Sequence, residues 1–181
     1  MSSLLNDRMS VSPFRLVVLA TGGTLEKRYD AHVGELTLEH SMIETIIGTL
    51  EQPDIEVHIE RVMAIDSLEM GAPERQTLGD QMAAVLDNDV AHAVLITHGT
   101  DTLPDTARAL AKRFPELDRP VLLTGAMVPF ATADSDGLQN VAQAVMAARL
   151  LPPGVYGVLH SRVIAATQIA KDYDRLTMIA Q

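Results

Sequence analysis

The stretch LVVLATGGTLEKRY, Leu16 to Tyr29, carries an apolar, β-branched run straight into Thr21-Gly22-Gly23-Thr24. An apolar run closed by glycines reads as a buried strand ending in a tight turn. Runs at 55–65, 93–97, 120–124 and 155–160 repeat the character of the first, at 14–20, and the segments between them have helical spacing. SMIE at 41–44 sets Ser41 three residues ahead of Glu44, a capping-box pattern that predicts a helix to about Leu50. APERQTLGDQMAAVLDN at 72–88 places Leu78, Met82, Val85 and Leu86 on one face behind Pro73. In TDTLPDTARALAKRF, 100–114, Thr102 and Asp105 repeat the cap pattern, and Ala107, Leu110, Ala111 and Phe114 share a face. GLQNVAQAVMAARLL, 137–151, supplies a fourth helix.

Strands alternating with helices predict an α/β fold: a doubly wound, mostly parallel sheet of five strands or slightly more, with helices on both faces and right-handed crossovers, Rossmann/flavodoxin-like. The connection from Thr21 to about His40 is long for a loop leaving a strand, a length typical of binding loops and lids. At 181 residues, with 47% hydrophobic and 21% charged residues, the chain is expected to form one domain over 1–181, with 1–13 flexible. The nine methionines, Met82 and Met146 among them, read as core filler.

With 14 basic and 24 acidic residues, the net charge of −10 repels phosphate backbones and anionic membranes, so neither nucleic acid nor a membrane is an expected partner. No cysteine is present, which excludes thiol nucleophiles and thiolate metal sites. His32, His40, His58, His92 and His160 lack paired ligand spacing, and no metal or other cofactor is expected. MSSLLNDRMSVSPF does not have the pattern of a signal peptide, which makes the cytoplasm the expected location.

Each strand ends in polar or glycine-rich residues: TGGT at 21–24, IDS at 65–67, HGTDT at 98–102, TGAM at 124–127, and HSRVIAATQIAK at 160–171. In an open α/β sheet ligands bind outside the carboxyl ends of the strands, so these segments converge by topology. Glycines admit close backbone approach, and their N–H groups can bind a carboxylate or oxyanion. A threonine hydroxyl such as Thr24 attacks only if its proton is removed, and Tyr29, Asp101 and Lys171 are the helpers on this edge. Taken singly, each motif has a structural reading: TGGT as a turn, Thr102 as a helix cap, Asp66 and Ser67 as a strand end, Lys171 as a solvated charge. Neither GxGxxG nor GxxxxGK[ST] is present to support a nucleotide site.

In combination, TGGT, a tyrosine a few residues on, IDS, HGTDT and TGAMVP, in that order, resemble the bacterial-type L-asparaginase/glutaminase family over about Arg15 to Lys171. The resemblance implies hydrolysis of a side-chain amide to acid and ammonia through an acyl-enzyme. It implies Thr24 as nucleophile with Tyr29 as its activating partner, and Thr100, Asp101 and, by looser alignment, Lys171 as a second catalytic group. Ser67 matches a position that binds the substrate α-carboxylate, and Asp101 one that also binds the α-ammonium. Gly23, Asp66, Gly99, Thr100 and Ala126 complete the substrate-binding set. L-Asparagine is the expected substrate, with minor L-glutaminase activity.

The departure from the family is length. Its typical members are roughly twice as long, with a smaller C-terminal domain that supplies an acidic partner to the Thr-Tyr pair; this sequence ends about ten residues after Lys171 and so resembles the N-terminal domain alone. Glu26, Asp30, Glu35 and Glu69 are candidate substitutes for that acid, and a homo-oligomer is expected because family sites lie at subunit interfaces. The alternatives are a non-catalytic amino-acid-binding or regulatory module of the same fold, and an amidase subunit of a tRNA-dependent amidotransferase. A nucleotide-binding regulator ranks last, since fold does not fix function.

Overall fold

A computed structural model describes residues 12–38, 41–88 and 91–181. Most of the stretch expected to be flexible, and His40, lie outside the described residues. In chain order the elements are β1 (Phe14–Gly22), β2 (Arg28–Asp30), β3 (Glu35–Thr37), α1 (Ile43–Thr49), β4 (Ile55–Ile65), α2 (Ala72–Asp87), β5 (Ala93–Thr97), α3 (Leu103–Arg113), β6 (Pro120–Thr124), α4 (Gly137–Ala148), β7 (Gly154–Leu159), β8 (Arg162–Ala165), β9 (Ile169–Asp172) and β10 (Thr177–Ala180).

The main sheet has the order β4-β1-β5-β6-β7-β8. The first five strands are parallel and β8 runs antiparallel to β7. The expected sheet is therefore present, one strand wider. Alternate residues of β1 feed opposite cores: Val17 and Leu19 pack with Leu78, Met82 and Val85 of α2 and Leu103, Ala107 and Leu110 of α3. Leu16 and Val18 pack with Ile43 and Ile46 of α1 and Val141, Ala144 and Val145 of α4. Helices thus cover both faces, and each fully buried Leu, Ile or Met contributes roughly 1.5–3 kcal/mol relative to exposure.

Several local expectations change. The long connection after β1 is not a plain loop but folds into a β2–β3 hairpin. Ser41 does not form the expected capping box with Glu44: its hydroxyl donates to Glu26, while Glu44 pairs with Arg61. Thr102 sits at the N-cap of α3, but its hydroxyl donates to the Ser67 carbonyl at 2.7 Å rather than capping the helix. Met82 is fully buried, whereas Met146 is 60% exposed and is not core filler, because α4 turns that position away from the sheet.

Candidate active site

From β1 the chain crosses by α1 to β4 on one side, and α2 then returns it to β5 on the other side of β1. The crevice between the carboxyl ends of β1 and β5 is a topological switch point, where open α/β sheets bind ligands. TGGT leaves one side of it and HGTDT the other.

Backbone approach there is unusually close. Gly23 has φ +75°, and a Cβ at that position would lie 2.3 Å from the Gly99 nitrogen. A Cβ on Gly99 would lie 2.5 Å from Ser67 Oγ, and one on Gly125 2.2 Å from the His98 carbonyl. Glycine is required at Gly23 both by conformation and by space. The Gly23 N–H donates to the Ile65 carbonyl at 2.9 Å, tying the turn to β4.

The two threonines of TGGT have different duties. Thr21 is buried and its hydroxyl donates to the Thr97 carbonyl at 2.7 Å, fastening β1 to β5. Thr24 is half-buried and opens a short 3-10 turn, Thr24–Glu26. Two residues on, Glu26 is buried, accepting from Thr97 Oγ1 at 3.0 Å and from Ser41. Burial raises its pKa despite those two hydrogen bonds.

Across the crevice, Lys171 Nζ donates to Thr100 Oγ1 at 2.8 Å and to Asp101 Oδ1 at 2.7 Å. Thr100 is buried, and the Lys171 side chain is only 8% exposed. Strand β9 carries Lys171 inward because the β9–β10 hairpin is anchored: Ile169 and Met178 enter the core, and Arg108 donates to the Ile169 carbonyl at 2.8 Å. Asp66 caps its own short turn by accepting from the Leu68 N–H at 3.0 Å and pairs with Lys27, whose hydrogen bond holds its carboxyl below the usual range. Ser67 Oγ is the buried side-chain polar atom without a hydrogen-bond partner among the described residues.

Residues 15–175 match the family profile described as "Asparaginase, N-terminal". The chain belongs to the asparaginase family. It is 28% identical over 157 residues to the L-asparaginase of Thermococcus kodakarensis, covering 87% of this chain and 47% of that protein. The solved structure of the thermostable L-asparaginase from that organism superimposes with a TM-score of 0.77, covering 87% of this chain and 48% of that one. A glutamyl-tRNA(Gln) amidotransferase subunit of Aeropyrum pernix is 30% identical over 152 residues, 82% of this chain and 35% of that protein. The crystal structure of a probable cytoplasmic L-asparaginase from Campylobacter jejuni, 27% identical, has a TM-score of 0.71 and covers 87% of this chain and 48% of that chain. The chain spans about half or less of the length of the relatives it matches.

Of the residues singled out by resemblance to the asparaginase family, Thr100, Asp101 and Lys171 meet in one hydrogen-bonded cluster. Gly23 lies close against Gly99, and Gly99 against Ser67, while Ala126 is buried just past the end of β6. Tyr29 does not join them: it is 62% exposed on β2, opposite Leu36, and no hydrogen bond links it to Thr24 among the described residues. Sequence reasoning missed Lys27, Asp136 and Thr177, and it weighed His160 only as a metal ligand. Lys27 follows Thr24 in sequence and so was open to notice, but Asp136, His160 and Thr177 share no short motif.

Proposed function

We propose that this chain carries the nucleophile-bearing half of an amidohydrolase site and hydrolyses L-asparagine to L-aspartate and ammonia, with minor activity on L-glutamine. The observation that supports the reading best is the Lys171 ammonium held between Thr100 Oγ1 and Asp101 Oδ1, across a glycine-walled crevice from Thr24. Such a cluster has little use in a pure binding module, and general acid–base groups need this hydrogen-bond reach.

In this reading the substrate ammonium lies against Asp101, and its carboxylate against Ser67 and the strand-end N–H of Gly99, with Gly23, Asp66 and Ala126 shaping the pocket. The side-chain amide is then held between Thr24 and Thr100. Thr24 Oγ1 bonds to the amide carbon and its proton passes toward the departing nitrogen, a relay through Tyr29 that requires the β2–β3 hairpin to carry this side chain from its exposed position to Thr24. The C–N bond breaks, ammonia leaves and an aspartyl ester remains on Thr24. Water positioned by Thr100 and Lys171 then cleaves the ester and restores the hydroxyl. No cofactor takes part.

A homo-oligomer in which a second copy completes the site, and action in the cytoplasm, belong to the same proposal. The likeness to an amidotransferase component supports a second reading, release of ammonia for use by a partner protein. The net charge of −10 weighs against tRNA binding by this chain itself. Ammonia release from L-asparagine by the purified chain, beside Thr24→Ala and Lys171→Met, tests the proposal. Turnover lost in Thr24→Ala and lowered by at least about a hundredfold in Lys171→Met is expected. Turnover that survives Thr24→Ala overturns the nucleophile assignment.

A further inference from the structure

A partly buried polar chain links the loop after β6 to the β9–β10 hairpin that carries Lys171. The Asp136 carboxylate accepts from the N–H groups of Met127, at 3.0 and 3.1 Å, and Val128, at 3.0 Å, which belong to the loop that follows β6 and contains Ala126. It also accepts from Asn140 Nδ2 at 2.8 Å and meets His160 Nε2 at 2.8 Å. Burial alone would push this carboxyl up, but the two N–H donors and the imidazole hold it below the usual range. From the other ring nitrogen, His160 Nδ1 reaches Thr177 Oγ1 at 2.8 Å.

Thr177 opens β10. In the hairpin register it faces Asp172, and its neighbour Met178 faces Lys171. One end of the chain therefore holds the Gly125–Val128 loop and the other holds the strand paired with Lys171. The link between them is built with strain: His160 has φ +49° and Ser161 φ +61°, left-handed conformations that cost non-glycine residues of order 1 kcal/mol or more each. Asn140 Oδ1 accepts from the His160 N–H at 3.0 Å and Gln143 Oε1 from the Ser161 N–H at 2.7 Å, which keeps that turn in place. Asn140 also donates to the Gly125 carbonyl at 2.9 Å, bracing the same loop a second time.

The order carboxylate, imidazole, hydroxyl resembles a nucleophile triad, but Thr177 sits within the β9–β10 pairing, opposite Asp172, and in the proposed reaction the attack belongs to Thr24. We propose that Asp136, His160 and Thr177 are positioning residues: they fix the β9–β10 hairpin against the loop after β6 and so hold Lys171 on Thr100 and Asp101. The effect on rate rests on the role given to Lys171 above; the effect on the contacts of Lys171 does not.

Two readouts separate these. Competitive acetylation with acetic anhydride, read by peptide mass spectrometry against exposed Lys112, measures how tightly Lys171 is held whether or not the chain turns over. Thr177→Val, which keeps shape and removes the hydroxyl, should raise Lys171 reactivity about tenfold, and Thr177→Ser should restore it. His160→Asn, a residue that tolerates left-handed φ, cuts the chain at Asp136 and should act like Thr177→Val, so a folding failure of one variant leaves the other to decide. Ammonia release should show kcat lowered about tenfold with KM within about twofold, as expected of a displaced catalytic group. Unchanged Lys171 reactivity in folded Thr177→Val or His160→Asn overturns the proposal. Raised reactivity without ammonia release by any form, wild type included, upholds the positioning role and rejects the hydrolase reading instead.

Discussion

Gly23→Ala measures the contact on which the crevice depends. Two costs combine there. With φ +75° and ψ −178°, Gly23 lies in a region that is essentially glycine-only, which penalises any Cβ by about 1–3 kcal/mol, partly offset by about 0.4–1 kcal/mol from a less flexible unfolded chain. The new methyl would also lie 2.3 Å from the Gly99 nitrogen and 2.5 Å from its Cα. Those atoms are backbone of the neighbouring strand end and cannot rotate aside, so overpacking adds a further cost of about 2–3 kcal/mol, in the upper part of its usual range. Gly34 is the comparison, a turn glycine with φ +75° and nothing within 4 Å of its Cβ position. Gly34→Ala should therefore cost about 1 kcal/mol or less. Urea unfolding followed by far-ultraviolet circular dichroism should show Gly23→Ala less stable than Gly34→Ala by about 2–3 kcal/mol, or roughly 4–12 °C in Tm. Equal melting of the two variants would refute the close approach of TGGT to HGTDT, and with it the placement of Thr24.

Two buried titratable groups give opposite pH signatures. Burial lowers the His98 pKa to about 4 from 6.5, so the stability it carries is complete above its unfolded value and is lost as pH falls toward about 4. That amounts to about 3 kcal/mol, and His98→Gln should flatten this part of a plot of urea midpoint against pH. Glu26 has a raised native pKa, so its contribution is complete below the ordinary carboxylate value and is lost as pH rises through the raised one. Glu26→Gln should accordingly gain stability relative to wild type on going from acid to neutral pH, and an unchanged difference would contradict the burial of that carboxyl. Ser67→Ala removes a buried hydroxyl that has no hydrogen-bond partner among the described residues. It should leave stability unchanged or improve it by about 1 kcal/mol while raising KM for L-asparagine roughly tenfold; a loss of stability would show that the hydroxyl has a structural partner.

The sheet was legible because its inner strands are buried on both faces, and continuous runs such as 93–97 and 120–124 have no other use in a chain of this length. Helices α2 and α3 showed their buried faces for the same reason, through Leu78, Met82 and Leu110. What escaped was short or exposed: the polar β2 and β3, the edge strand β8, and the β9–β10 hairpin, each four residues or fewer. Strands of that size are fixed by tertiary contacts rather than by pattern. Ser41 and Thr102 had the sequence of helix caps, yet Ser41 donates to Glu26 while accepting from the Ile43 N–H at 3.3 Å, and Thr102 donates to the Ser67 carbonyl, both donations reaching partners far away in sequence. Glycines at strand ends pointed to the crevice and topology put HGTDT and Lys171 on one sheet edge, but the pairing of Lys171 with Thr100, 71 positions apart, was approached only through family resemblance. The Asp136–His160–Thr177 chain had no such guide, since its members form hydrogen bonds only after three separate turns have folded.

The central claim is that Thr24 is acylated by an amide substrate while Thr100, Asp101 and Lys171 serve the reaction from across the crevice. Acid-quenching the chain during turnover of L-asparagine and mapping its peptides by mass spectrometry tests that directly. An aspartyl ester on the peptide bearing Thr24, accumulating further in Lys171→Met and absent in Thr24→Ala, is the predicted result. An ester on Thr100, or ammonia release with Thr24 unmodified and dispensable, would contradict it.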